Sequence, residues 1–256
     1  MKTLKKFVNK KVNSIKGSIK LKFSKSLWLS LGENCLTDNI LARHNFKSFS
    51  SPYSHGRSNL DYAISLEEKK YESLLEPENL KYDYVGDARV VRSTIVNQSD
   101  AIYHELHMNG FEFTHHDVKE SDKQRKSLER KISRLYSFRG KKDFVFLYHY
   151  RFNENIDLDK IFTKAKKFTA FYSGLNKKYN MVVFTQKIIS DEKERKVYFK
   201  QDDNILFFEL HTKHIWSGDN ENIFWARVDD DLIKKMLDTA DNVINKNAKV
   251  AEGYLH

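Results

Sequence analysis

The chain has 256 residues, of which 40% are hydrophobic, 31% charged and only 2 proline, a balance that excludes a collagen-like or wholly disordered chain. Its single cysteine excludes an intramolecular disulfide framework. The formal charge of +10 is unevenly placed: nine lysines precede the first acidic residue, Glu33, and removing those nine from the 45 basic residues leaves 36 against 35 acidic ones. Basicity therefore belongs to an N-terminal arm, and nucleic-acid binding is not expected of the body.

Within that arm Leu4, Val8, Val12, Ile15 and Ile19 recur at helical spacing among the lysines, the pattern of an interfacial helix. Residues 1–22 are expected to dock on an anionic membrane surface, with residues 1–25 as the arm and 26–256 as a single α/β domain. No apolar run reaches the roughly 20 residues of a spanning helix, and the first thirty residues hold no apolar secretory core. The expected setting is cytoplasmic, peripheral to the inner face of the membrane.

The first strand signal is Leu27-Trp28-Leu29-Ser30-Leu31, which runs into the turn-forming Gly32-Glu33-Asn34-Cys35; helical spacing resumes with Leu36, Ile40 and Leu41. Residues 46–60 read as a Ser-rich loop with Pro52 and Gly56, leading to a helix that starts near Asn59. A strand is expected over 89–96, a helix over 122–138 and a continuous apolar strand over Phe144–Tyr148. A helix through Leu158–Phe168, strands at Met181–Phe184 and Ile205–Phe208, and a last helix from Leu232 to Ile244 complete the pattern. Apolar strands alternating with amphipathic helices predict an α/β fold, a mainly parallel, doubly wound sheet with helices on both faces.

Ligands of such sheets bind beyond the carboxyl ends of the strands, where Cys35 is expected to sit at the start of a helix. Backbone N–H groups and the helix dipole favour a thiolate there, so a lowered thiol pKa is expected. A thiol nucleophile needs an imidazole to take its proton. His115 and His116, beside Asp117, follow the apolar segment Gly110–Phe113; as neighbours point apart in a strand, one of the two is expected to face the site. His55 and His149 are reserve candidates for the base or for binding. Asn34, with the backbone N–H of Cys35 or Leu36, is a candidate oxyanion donor.

His104 with His107, and His211 with His214, have the spacing of paired metal ligands but no third ligand nearby, so no metal is expected. The chain lacks a Gly-x-Gly-x-x-Gly turn, a phosphate loop and a Gly-x-Ser-x-Gly elbow, so no cofactor is expected.

Ser30-Leu31-Gly32-Glu33-Asn34-Cys35, then Pro52-Tyr53, then the stretch from Gly110 to Asp117 with its His-His-Asp, and the basic segment with Glu129-Arg130 together resemble a bacterial family of papain-like cysteine peptidases met beside glycosyltransferase and surface-polysaccharide genes. The similarity spans roughly residues 26–230. It implies a thiol-dependent hydrolase or acyl transferase acting on glycan or lipid-linked material, with Cys35 as nucleophile, His116 as general base and acid, and Asp117 as orienter. Where the family has a Pro-Phe-Asp-Trp-like box, this chain keeps Pro52 but carries Tyr53, Ser54 and His55, so Asp117 or His55 would replace that Asp. The alternative is a non-catalytic, membrane-associated interaction module of a polysaccharide-assembly system.

Overall fold

The computed structural model describes residues 24–54, 56–151, 156–174, 176–220 and 223–255. The expected arm over residues 1–22 and the reserve candidate His55 lie outside the described residues.

In chain order the strands are β1 (Ser26–Gly32), β2 (Leu80–Val85), β3 (Ala88–Ser93), β4 (Glu112–Phe113), β5 (Asp143–His149), β6 (Tyr179–Ile188), β7 (Lys196–Asp202), β8 (Ile205–Thr212) and β9 (Gly253–Leu255). The helices are α1 (Leu36–Arg43), α2 (Leu60–Glu68), α3 (Asp122–Phe138), α4 (Leu158–Ala170) and α5 (Asp230–Lys246). Local chemistry sets several of the starts. Asn59 accepts the N–H of Tyr62 at 2.9 Å ahead of α2, and Asp157 accepts that of Lys160 at 3.0 Å ahead of α4; both satisfy otherwise orphan helix donors.

Six strands form the main sheet in the order β1-β5-β6-β8-β7-β9. The first four are parallel, while β7 runs antiparallel to both β8 and β9. The sheet is thus mixed and mostly parallel. Its order advances from β1 without the reversal of a doubly wound sheet, so the expected doubly wound order is not the one formed. The antiparallel departure at β7 arises because it pairs with β8 as a local hairpin across Asp203-Asn204 instead of being separated from it by a helix.

Side chains alternate across the parallel strands. Leu27, Leu29, Leu31, Phe144, Phe146, Met181 and Val183 enter one buried cluster with Ile161, Phe162 and Phe168 of α4, Leu128 and Leu135 of α3, and residues of α2. Trp28, Val145, Leu147, Val182, Phe184 and Phe208 enter a second with Leu36, Ile40 and Leu41 of α1 and Ile233, Met236 and Leu237 of α5. Burial of each large apolar side chain contributes about 1.5–3 kcal/mol, so continuous apolar strands are what a sheet covered by helices requires.

The smaller sheet, β2-β3-β4, is antiparallel. It joins the first cluster through Leu80, Val91 and Phe113. That cluster also holds a polar hub: Glu67 accepts the hydroxyls of Tyr53 (3.2 Å), Tyr71 (2.8 Å) and Tyr172 (2.5 Å) and pairs with Arg139. A buried carboxylate is retained because its acceptors are so fully used. Tyr53 of the Pro52 segment is therefore a core residue. Among the described residues no helix is long and apolar enough to cross a membrane.

Candidate functional site

The carboxyl end of β1 is shaped by Gly32. Its φ is +149°, a backbone conformation that residues other than glycine adopt only under strain, while a Cβ there would make an ordinary contact, 3.4 Å, with the backbone nitrogen of His149. After Gly32 the chain buries Glu33, whose carboxylate accepts the Tyr148 hydroxyl at 2.7 Å. Asn34 then turns back, its Oδ1 accepting the N–H of Leu36 at 3.0 Å. Cys35 caps α1, its carbonyl accepting the N–H of Asn39 at 3.1 Å. The thiol is free and partly buried.

Asn34 and Cys35 open onto a cleft of about 340 Å³. The chain between α1 and α3 supplies one wall. Arg57 donates its N–H to the carbonyl of Glu112 at 3.1 Å and accepts that of Glu112 at 3.0 Å; Gly56 permits this approach, since a Cβ there would fall 2.2 Å from the Glu112 carbonyl oxygen. The Glu112 carboxylate is in turn held by Arg92 through two N–H groups, at 3.1 and 2.9 Å, and by the Thr114 hydroxyl at 2.7 Å. This bracing brings Arg57, Thr114 and His115 to the cleft. His107 joins them from a 3₁₀ turn, Glu105–His107, whose His107 carbonyl accepts the Asn59 amide at 2.9 Å.

The opposite side comes from the exits of β5 and β8: Arg151 follows the first, and Trp216, Ser217, Gly218 and Asp219 follow the second. Trp225 completes it. Trp225 and Ala226 both lie in the left-handed region, at φ 47° and 64°, an arrangement that costs non-glycine residues about 1–3 kcal/mol each and concentrates at functional sites. The indole of Trp225 packs so closely over Gly218 that a Cβ there would meet it at 2.2 Å.

The candidates are divided between two depressions. Cys35, Asn34 and His115 line the cleft. His116 and Asp117 line a neighbouring one with Tyr82 and Arg89, which shares Thr114 and His115 with the first. Asp117 accepts the Tyr82 hydroxyl at 3.0 and 3.1 Å and Arg89 at 3.3 Å, so it orients groups on the small sheet. The two histidines follow β4 in a turn, where strand alternation no longer applies: His115 lines both depressions, His116 only the neighbouring one.

His149 is buried beneath, stacked at 4.9 Å on Phe184 and tilted against Trp216. Neither of its ring nitrogens has a partner among the described residues. Burial, with help from Arg151, pushes it down to about 3, so it stays neutral. Ser54, in the Asp position of the Pro52 segment, shares a hydrogen bond with Ser30 at 3.0 Å and accepts the N–H of Ser51 at 2.9 Å, so it fastens the loop to β1.

Electrostatics at the thiol differ from the helix-start expectation. Burial chiefly, then the Asp38 carboxylate, pushes the Cys35 thiol up to about 11; Arg57 opposes and Glu112 adds to the rise. Burial, with the Asp38 carboxylate in the first turn of α1, outweighs the pull of the helix start. The Leu36 N–H is already taken by Asn34, so of the expected oxyanion donors the Cys35 N–H and the Asn34 amide nitrogen remain. Burial raises Glu33 to about 8, against the pull of Tyr148 and Arg151. His107 is held well below the usual imidazole range by burial, then by Arg151 and Arg57.

Arg57, His107, Arg151 and the two tryptophans are the site residues that sequence reasoning missed; only His107 had a signal, its spacing from His104. Among the described residues no group of three or more His, Cys, Asp or Glu side chains could hold a metal ion.

No curated protein and no solved structure was found to match the chain. The family described as "putative papain-like cysteine peptidase (DUF1796)" matches residues 26–206, more than half of the sequence, and the chain belongs to that family.

Proposed function

We propose that the protein is a cysteine-dependent hydrolase in which Cys35 is the nucleophile and His115 the general base and acid. The observation that carries this reading is the shared cleft: a partly buried thiol at the carboxyl end of a parallel strand and the exposed His115 line the same depression. His115 replaces the expected His116 in this role, and Asp117, tied to Tyr82 and Arg89, is left as a support of the segment that carries His115.

In the reaction, His115 removes the Sγ proton as sulfur attacks a carbonyl carbon. The resulting oxyanion is stabilised by the Cys35 N–H and the Asn34 amide. Protonated His115 then hands its proton to the leaving group, and water hydrolyses the thioester with His115 again as base. The high resting affinity of the thiol for its proton makes the imidazole indispensable, since little thiolate exists at neutral pH without it. Transfer of the acyl group to an acceptor other than water would use the same thioester. For the substrate itself, glycan or lipid-linked material of a surface-polysaccharide system is the proposal, supported by the sequence resemblance.

Intact-mass analysis after exposure to an activated acyl ester tests the nucleophile. One acyl adduct on Cys35, absent in Cys35→Ser, is the expected result. Adduct formation and ester turnover that are unchanged in Cys35→Ser would refute it and favour a non-catalytic interaction module.

A further inference from the structure

Among the described residues the cleft beside Cys35 is lined by two guanidinium groups, Arg57 and Arg151, and two imidazoles, His115 and the buried, neutral His107, against one carboxylate, Asp219, which is exposed and engaged by Ser217. A cation withdrawn from water is normally matched by a counter-charge. Arg151 is partly buried, yet among the described residues no carboxylate oxygen lies within 4.0 Å of its guanidinium nitrogens, whose contact there is with His107 Nε2 at 3.4 Å; the Glu33 carboxyl meets only its backbone N–H. The nearest buried acid, Glu33, spends one oxygen on Tyr148 and, with its affinity for a proton raised to about 8, is mostly uncharged at neutral pH.

Arg57 is no better matched. Its Nε stands 3.7 Å from Glu112, a carboxylate already held by Arg92 and Thr114, and its Nη1 has no partner among the described residues. His107 is 1% exposed and lines the same cleft. If Nε2 accepts from Arg151, the ring proton sits on Nδ1, which also lacks a partner among the described residues. The strained Trp225 and buried Trp216 give the cleft an apolar wall next to these donors.

We propose that the cleft is an anion subsite: the substrate of Cys35 carries a carboxylate or phosphate that seats on Arg151, with Arg57 and His107 beside it and the apolar part of the molecule against Trp225. Arg supplies planar, paired donors suited to either oxyacid. The inference rests on the reading of Cys35 as the reacting group.

Alkylation of the full chain by iodoacetate, an anion, and by iodoacetamide, its neutral counterpart, tests the subsite, with glutathione as reference thiol. The iodoacetate-to-iodoacetamide rate ratio should exceed that of glutathione about tenfold, as local cationic fields do for anionic reactants, and should fall to the glutathione value in Arg151→Gln. Inorganic phosphate or acetate should slow iodoacetamide alkylation of the wild type saturably. Protection by phosphate alone identifies a phosphate-bearing substrate, and protection by acetate a carboxylate. A ratio equal to that of glutathione, or unchanged in a folded Arg151→Gln, overturns the proposal. Should Arg151→Gln fail to fold, the same comparison on Arg57→Gln and the wild-type protection experiment decide, and no protection by either anion overturns it. Because a ratio cancels the intrinsic reactivity of the thiol, the subsite and the nucleophile can fail separately: the Cys35→Ser adduct test reports only the second.

Discussion

Arg57 and Glu112 exchange two backbone hydrogen bonds, at 3.1 and 3.0 Å, and this single bridge brings Arg57 and the Thr114-His115 segment to the cleft that holds Cys35. The bridge depends on Gly56, where any Cβ would stand 2.2 Å from the Glu112 carbonyl oxygen. Gly56→Ala is expected to separate the two segments, lowering stability by about 1–3 kcal/mol as overpacking does, and to reduce turnover further than that loss explains. Denaturant unfolding together with ester turnover on the folded fraction measures both. Wild-type stability and turnover in Gly56→Ala would show that the bridge is not needed.

The two adjacent histidines should separate cleanly in kinetics. His115→Ala is expected to lower kcat/KM by about 10²–10⁴, the usual contribution of a general base, whereas His116→Ala should stay within a few-fold because His116 lines the neighbouring depression. The reverse order of effects would return the role to His116.

The thiol should titrate late. With Cys35 pushed up to about 11, its alkylation by iodoacetamide in the absence of substrate should keep rising about tenfold per pH unit beyond pH 9. A free cysteine levels off near its pKa of about 8.5. Asp38→Asn removes the nearest opposing charge and should move the midpoint downward. A wild-type plateau at or below pH 8.5 would contradict this electrostatic account.

Glu33 should make stability depend on pH. Its folded-state affinity for a proton is raised from the ordinary 4.5 to about 8, so the folded chain binds the proton more tightly than the unfolded one. Its contribution is complete below pH 4.5 and is lost as pH rises toward 8. His149 acts oppositely: pushed down to about 3 from 6.5, it withdraws stability as pH falls through that window. Glu33→Gln, which keeps the Tyr148 contact without the titration, should flatten the decline in Tm between pH 5 and 8. An unchanged slope would show that the carboxyl is ionised throughout.

The lysine-rich N-terminal segment is expected to bind anionic surfaces. Nine lysines before any acid, each contributing about 1 kcal/mol near an anionic surface, should let the full chain co-sediment with phosphatidylserine vesicles at low salt. Deletion of residues 1–22 should abolish that binding and leave ester turnover intact. Equal sedimentation of both proteins would place the membrane contact elsewhere or nowhere.

What could be read from the amino-acid order is what depends on near neighbours. Continuous apolar runs such as Phe144–Tyr148 and Met181–Phe184 announce strands buried on both faces, and Asn59 announces the start of a helix, because pleat and cap chemistry act over two to four residues. The placement of Cys35 between the first strand and the first helix is of the same kind. The strand order and the short strand β4 were decided only by the tertiary structure, since pairing partners far apart in sequence leave no local trace, whereas the β7-β8 hairpin is local, turning at Asp203-Asn204, and was simply not read from the sequence. The placing of His115, and not His116, on the cleft that holds Cys35 was likewise decided by the tertiary structure: both follow the same apolar segment, and the bridge from Arg57 to Glu112 that holds this segment joins residues far apart in sequence. The rise of the thiol pKa has the same origin. A helix start is visible in sequence, but the burial, the Asp38 carboxylate and the buried Glu112 that outweigh its dipole act through space.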